Sequence, residues 1–377
     1  MRVIHIASFK GNAGDIINHN GFYSLFDDIF ERRDITKVEI RDFYFSAKNR
    51  KRFDREFADT VNGYDLCVLG GGSFFDCQWP DSPTGTTMSI EDEFIDEVRV
   101  PVIVNAMGYH EFAGRTNDVS ISRFERFIRV IQNRENWLIT VRNDGSAKRL
   151  RSRYPGDSLS GIFFMADNAF YNDIKRRGND HRNLIGISIT NEALCPEFNG
   201  MNMDAERFNT SVAKVIERFA LDGRKVMLFT HTPQDIDVLA KVIGNLSEQV
   251  RRNSIMIAPA DYIDDERIVT SLYFEWYCKC DLIISMRFHG CVMGFLADVP
   301  TVALAGHEQL LGLYDELGMN EFALKVEEGF DLKLPYVIKS AQKSYSDSRN
   351  RYLERVDELK KSYRETVLSF IRKCEGQ

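Results

Sequence analysis

The sequence predicts an α/β protein of two doubly wound parallel-sheet domains facing each other across a cleft, with a long C-terminal helix. Three observations predict it. Short, nearly all-apolar runs alternate with longer segments of helical spacing. The alternation pauses once, at a polar run over 169–182. The final segment carries apolar side chains at three- and four-residue spacing on a charged background.

The first strand is expected at Val3–Ala7, followed by strands at 37–43, 65–69, 102–106 and 138–141, and a short apolar run at 163–165. Helical spacing falls on 16–30 and 121–132. A second series of strands is expected at 184–189, 226–230, 254–257, Leu282–Ser285 and Thr301–Ala305, with helices at 205–219 and 235–243. Strands that alternate with helices pair in parallel, because a parallel pair needs a long crossover. Parallel sheets are covered on both faces, which accounts for strands that are apolar throughout. The run Lys175-Arg176-Arg177-Gly178-Asn179-Asp180 separates the two series. The expected divisions are a first domain over 1–170, a second over 183–335 and a helical segment over 336–377. Within the last, Leu353, Val356, Leu359, Tyr363, Val367 and Phe370 form one stripe, and the spacing predicts a helix over about 340–373 packed on a domain surface.

The 377 residues are 44% hydrophobic and 28% charged, which excludes disorder as the main state. Lys+Arg number 49 and Asp+Glu 56, a net charge of -7. That balance argues against a dedicated nucleic-acid binder, whose affinity comes from neutralising phosphates. The seven cysteines stand at 67, 77, 195, 278, 280, 291 and 374. Cys278 and Cys280 are one residue apart, which fits neither a redox pair nor a zinc knuckle. The expectation is reduced thiols in a cytoplasmic protein, with no metal and no cofactor. The polar start of the chain does not read as a signal peptide, and no run reaches the roughly 18 uncharged apolar residues of a membrane span.

Ligands of such folds bind beyond the carboxyl ends of the strands, so the residues there carry the search. After the first strand comes Lys10-Gly11-Asn12-Ala13-Gly14-Asp15, where Asp15 suits a helix N-cap. This is not a dinucleotide fingerprint, and a plain turn with a cap stays open beside a ligand loop. After 65–69 comes Gly70-Gly71-Gly72-Ser73 with Asp76 close behind, where consecutive glycines let a ligand approach the main chain. Asp76 has the chemistry to accept from sugar hydroxyls. The most informative stretch is Asp281 to Cys291. Its strand delivers Arg287 and His289 to the amino end of a helix expected over about 289–297, where the dipole and unbonded N–H groups favour anions. Arg287 supplies a fork for carboxylate or phosphate, and His289 a proton that moves near neutral pH. Arg142, after 138–141, reads equally as a salt bridge or a ligand contact. Asp167 reads as a cap, and His231, after 226–230, as cleft-facing or structural.

At these residues the chain resembles the polysaccharide pyruvyl transferase family. Gly11-Asn12-Ala13-Gly14-Asp15 is similar to its N-x-G-D loop, and Gly70-Gly71-Gly72-Ser73-Phe74-Phe75-Asp76 to its G-G-G-x-x-x-D segment. Val141-Arg142-Asn143-Asp144-Gly145-Ser146 resembles its V-R-D-x-x-S element, and Asp167 an aspartate that follows the next strand. Asp281 through His289, with Val299-Pro300 beyond, resembles its most specific element. The resemblance spans about residues 8–318. It implies a GT-B-like fold of two Rossmann-type domains. It also implies transfer of the enolpyruvyl unit of phosphoenolpyruvate to two hydroxyls of a glycan or lipid-linked sugar of an exopolysaccharide or cell-envelope polymer, giving a pyruvate ketal and phosphate. In these terms His289 is the catalytic acid or base. Arg287, Gly290 and Gln309 bind the donor. Asn12, Gly14, Asp15, Gly71, Gly72, Asp76 and Arg142 bind the acceptor. A homo-oligomer stays open.

Two positions depart from the family pattern. Gln309 stands nearest the place of a family lysine, and Thr190 and Asn191 follow 184–189 where arginine is common. Each lost charge-assisted contact weakens anion binding by roughly 1.5–3 kcal/mol, unless Lys279 or His307 compensates. The alternatives are a GT-B glycosyltransferase using a nucleotide-sugar donor and a non-catalytic glycan-pathway protein.

Overall fold

The computed structural model describes residues 1–48, 50–156, 159–172, 183–191, 203–258 and 272–376. The polar run over 173–182 and Cys195 lie outside them. By its contacts the chain divides into two units. The first comprises Met1–Phe9, Asn18–Asn172 and Arg355–Gln377, and the second Lys10–Ile17 and Asp173–Glu354.

The first unit is built on a six-stranded sheet. Its strands are β1 (Val3–Ala7), β2 (Ile35–Glu39), β3 (Leu66–Gly70), β5 (Val102–Met107), β7 (Trp137–Arg142) and β8 (Ile162–Met165), all parallel, in the order β2-β1-β3-β5-β7-β8. Two short strands, β4 (Phe75–Asp76) and β6 (Tyr109–His110), pair separately. At two residues each they are too short to leave a pattern in the sequence. β1, β3 and β5 are buried along their whole length, as strands covered on both faces must be. The helix Asp118–Gln132 turns Phe124, Phe127, Ile128 and Ile131 into the core and is closed at its start by a capping box between Asn117 and Ser120. The expected strand 37–43 is shorter. Glu39 accepts from the Arg41 amide, and Ile40–Phe43 coils into a 3-10 turn.

The second unit repeats the plan with β9 (Leu184–Ser188), β10 (Lys225–Phe229), β11 (Ile255–Ile257), β12 (Leu282–Ser285), β13 (Thr301–Ala305) and β14 (Ala323–Lys325). All are parallel, in the order β11-β10-β9-β12-β13-β14. The chain leaves β9 first toward β10 and β11 and later toward β12, so the strand order reverses between β9 and β12. In the first sheet the reversal lies between β1 and β3. Ligands of doubly wound sheets bind at such reversals.

The C-terminal helix runs from Phe330 to Glu375, longer at its start than the expected 340–373. The sequence hides this start because Pro335 lies inside it, and proline cannot donate to the carbonyl four residues back. That carbonyl belongs to Asp331, and the Arg218 guanidinium donates to it at 3.3 Å. The helix passes from the second unit to the first at Arg355, so it belongs to neither expected domain alone. The expected first domain also loses Lys10–Ile17, which group with the second unit. The Ala13 amide donates to the His231 carbonyl at 3.1 Å. No helix among the described residues is long and apolar enough to cross a membrane. None of their His, Cys, Asp and Glu side chains form a group of three or more able to hold a metal ion. The described cysteines are free thiols, buried except for Cys374.

Candidate active site

β12 ends at Ser285, and the next three residues make the turn into the helix Phe288–Leu296. Ser285 Oγ accepts from the Arg287 amide and donates to the Arg287 carbonyl, both at 3.0 Å. That double bond pins the turn and sets Arg287 at the helix N-cap. His289 follows in the first turn and is 8% exposed. Gly290 lets the helix settle on the sheet, since a Cβ there would strike Ser285 Oγ and lie 3.2 Å from His231 Nε2. The structure therefore gives Gly290 a packing reason, apart from any donor contact.

The Arg287 guanidinium is held from inside the unit. Nε donates to Asp235 Oδ2 at 3.3 Å, Nη2 donates to Asp235 Oδ1, and Nη2 also donates to Thr232 Oγ1 at 2.9 Å. Asp235 is fully buried at the start of the helix Asp235–Gly244, and it also accepts from the amides of His231 and Thr232. The sequence reading missed both Thr232 and Asp235. The only signal was their place, after β10 in Thr230-His231-Thr232-Pro233-Gln234-Asp235.

His231 links these parts. It is buried, and its Nε2 pairs with the Tyr277 hydroxyl at 2.7 Å. Burial lowers its pKa to about 3. The nearby Arg287 and His289 charges add to the lowering, and Asp235 opposes it. A histidine depressed in the fold stabilises it above the unfolded value near 6.5 and loses that contribution as pH falls toward 3. Chemical denaturation of wild type is thus expected to show an acid-side loss that steepens below pH 6.5. His231→Gln should be less stable at pH 7 and show a shallower pH slope. Equal slopes in the two proteins would refute this.

The loop after β1 lies against the same site. Gly11 takes a left-handed φ of 70°, open only to glycine without strain. Asn12 Oδ1 accepts from the Gly14 amide at 2.9 Å, so Asn12 caps the helix Ala13–Leu25. Asp15, the expected cap, instead stands in the first turn, where the helix dipole favours its charge. Gly14 packs on His289. A Cβ at Gly14 would fall 2.6 Å from His289 Cγ, inside the ring's contact distance. The resemblance puts Asn12, Gly14 and Asp15 on the acceptor side; by contacts they group with the second unit, where Gly14 lies against His289. Gly14→Ala is expected to displace the imidazole and lower kcat by about 10²-fold, the usual cost of misplacing a reacting group by 1 Å. Unchanged kcat in that variant would show that the contact does not set the His289 position.

Two flanking residues carry the departures. Thr190 follows β9 and is 4% exposed. Gln309 lies in the first turn of the helix Glu308–Glu316, beyond β13, with its amide directed to His307 Nδ1. They leave the strands on either side of β12, and neither supplies a positive charge.

In the first unit, the glycine loop follows β3. Gly70 and Gly71 have φ of 103° and 101°, and a Cβ on Gly71 would meet Asn18 Oδ1 at 2.7 Å. Gly72 is held for a different reason, because a Cβ there would press on the Phe74 ring. Asp76 is 7% exposed and accepts from the Thr87 amide at 2.7 Å and from Gln78 Nε2 and Trp79 Nε1 at 2.9 Å each. Burial raises its pKa to about 6, against those three donors. Arg142 is 2% exposed, and its guanidinium goes to Asp144 at 2.9 Å, Asp167 at 3.1 Å and Ser73 Oγ at 2.5 Å. Arg142 thus forms buried salt bridges, one of the two readings its position allowed. The two buried carboxylates demand its charge, and through Ser73 it shapes the glycine loop. Asp167 also caps the following turn through the Ala169 amide.

Comparison with known proteins adds the following. Residues 12–308 match the family model of polysaccharide pyruvyl transferase. No curated protein matches the chain significantly. Among solved structures, Anabaena HepE in complex with UDP and glucose superposes with a TM-score of 0.55 at 10% identity, over 98% of this chain and 100% of its own. A glycosyltransferase from Rickettsia africae gives 0.53 at 11%, over 99% and 98%. UDP-GlcNAc 2-epimerase from Neisseria meningitidis, bound to UDP-GlcNAc, gives 0.51 at 10%, over 98% and 100%. At such identities the likeness is one of fold, and the fold is GT-B-like: two Rossmann-type α/β halves and a C-terminal helix.

Proposed function

Because the chain belongs to the polysaccharide pyruvyl transferase family, and is on that ground a transferase, we propose that it transfers the enolpyruvyl unit of phosphoenolpyruvate to two hydroxyls of a sugar. The product is a pyruvate ketal on an exopolysaccharide or cell-envelope glycan, with release of phosphate. The observation that carries this is the placement of His289. It stands in the first turn of a helix at the reversal of the second sheet, with Arg287 as the N-cap and Gly14 packed on its ring.

The chemistry follows from these groups. His289 gives a proton to the methylene carbon of the enol, and the adjacent carbon becomes an oxocarbenium-like centre. One sugar hydroxyl adds there and loses its proton, which restores His289. A second hydroxyl then displaces phosphate, and its proton leaves with the phosphate. Arg287 and the helix amino end hold the anionic donor and meet its developing charge. Asn12 and Asp15 sit near enough in the chain to Gly14 to meet an acceptor hydroxyl beside His289.

A second reading, a glycosyltransferase using a nucleotide-sugar donor, is favoured by one observation: Arg287 is paired with Asp235, and Thr190 and Gln309 add no cation. Thermal-shift titration separates the two. A ligand at 100 times its Kd stabilises by about 2.7 kcal/mol. Stabilisation by phosphoenolpyruvate and not by UDP-sugars supports ketal transfer, and the reverse supports glycosyl transfer.

A further inference from the structure

We propose that His5 is a positioning residue for the glycine loop after β3, and that its Nε2–H fixes the plane of the Gly70–Gly71 peptide. Its bearing on the reaction rests on the reading of Gly71 and Gly72 as acceptor residues.

The carbonyl of Gly70 and the amide of Gly71 belong to one planar peptide unit. That unit is held at both ends. The Gly70 carbonyl lies 3.1 Å from His5 Nε2, and the Gly71 amide donates to the Asn105 carbonyl at 2.8 Å. His5 stands on β1 and Asn105 on β5, the two neighbours of β3 in the sheet. A plane held at two opposite atoms cannot turn without losing its bonds. The carbonyl of Gly72 accepts in turn from the Gly108 amide at 3.0 Å. The Cα atoms are confined as well. A Cβ on Gly70 would strike the Met107 thioether, and one on Gly71 would fall 2.7 Å from Asn18 Oδ1 and 3.2 Å from His19 Cε1. Both glycines have positive φ, which other residues enter only with strain. The loop is therefore built to one shape, and His5 supplies the hold on its β1 side.

The ring is set for this task. Burial first, and then the neighbouring His19 and Lys37, hold the His5 pKa well below the usual histidine range, against the bond to Gly70. The imidazole is thus neutral and carries one hydrogen. A carbonyl only accepts, so that hydrogen is on Nε2. Nδ1 keeps its lone pair and accepts from the Tyr23 hydroxyl at 2.7 Å. Tyr23 is buried too, and burial raises its pKa, so the phenol retains the hydrogen it donates. The bond at one ring nitrogen sets the tautomer that the other nitrogen needs.

Two substitutions separate the N–H from the ring. His5→Gln places an amide NH₂ near the position of Nε2, and His5→Phe keeps a ring but loses the hydrogen. The first readout needs no ligand: hydrogen exchange at the Gly71 amide of the full-length protein. Exchange is expected to be at least about tenfold faster in His5→Phe than in wild type, and within about threefold of wild type in His5→Gln. A ring that only fills space predicts the reverse order. That order, or equal rates in all three proteins, overturns the proposal. The Val68 amide, inside β3, is the internal control. If it quickens as much as Gly71 in His5→Phe, the sheet has loosened, and Tyr23→Phe decides instead. That variant leaves His5 in place and releases its tautomer, so Gly71 should exchange about threefold faster with Val68 unchanged. An unchanged Gly71 rate there overturns the proposal. The kinetic arm follows phosphate release from phosphoenolpyruvate, with methyl β-hexosides and methyl β-N-acetylhexosaminides as acceptors. His5→Phe should raise the acceptor KM by roughly 10–100-fold, with kcat and the phosphoenolpyruvate KM within about threefold, and His5→Gln should restore the acceptor KM. A loss confined to kcat, or one equal in the two variants, would mean that His5 does not act through the loop. If wild type releases no phosphate with any of these sugars, the acceptor reading fails, and the exchange arm still decides whether His5 holds the loop.

Discussion

His289→Asn lowers kcat by about 10²–10⁴ and leaves the donor KM within about tenfold of wild type. The asymmetry follows from where the side chain sits. An amide can still donate or accept a hydrogen bond beside Gly14, so donor binding changes little. It cannot carry a proton to the enol carbon, so the step that needs one slows. The variant also keeps counterparts of the Cβ, Cγ and Nδ1 atoms that Gly14 packs against, and its melting temperature should stay close to wild type. Steady-state phosphate release, measured over a range of donor concentrations, separates the two parameters. A raised KM with unchanged kcat would make His289 a binding group and take proton transfer away from it.

Arg287→Ala raises the donor KM by roughly 10–150-fold, the equivalent of about 1.5–3 kcal/mol for one charge-assisted contact. It also destabilises the fold by about 3 kcal/mol, because it strands a buried carboxylate at Asp235. The two losses have different causes, and Arg287→Lys separates them. An ammonium restores a charge near Asp235 and recovers part of the stability. It lacks the planar array that reaches Asp235, Thr232 and a donor together, so KM stays high. Denaturant midpoints and donor KM values for the three proteins check this. A lysine variant with wild-type KM would show that charge alone suffices at this position.

Much of this was legible in the sequence because apolar strands and the residues just after them are local features. β12 announced itself as an apolar run ending in Ser285, and Arg287 and His289 stood out because no packing need explains that pair at a strand end. The glycines at 70 and 71 were legible for the same reason, and their positive φ values show what they supply. The clamp on Arg287 was not legible. Asp235 stands 52 residues away in the chain, and an aspartate that opens a helix reads as a favourable first-turn charge. Arg142 was legible only as two alternatives. Its place at the carboxyl end of β7 is one where ligand residues stand, but only the fold brings Asp144 and Asp167 to it and turns it inward. The start of the C-terminal helix was hidden by Pro335, since the compensating donor, Arg218, lies on a helix more than a hundred residues earlier.

The measurement that tests the central claim most directly is phosphate release from phosphoenolpyruvate in the presence of a panel of β-linked hexose and N-acetylhexosamine acceptors, with wild type and His289→Asn side by side. The account predicts release by wild type that depends on an acceptor, one phosphate for each ketal formed, and a loss of about 10²–10⁴ in the variant. Wild type that neither binds nor turns over phosphoenolpyruvate while accepting a nucleotide sugar, or a His289→Asn protein working at the wild-type rate, would contradict it.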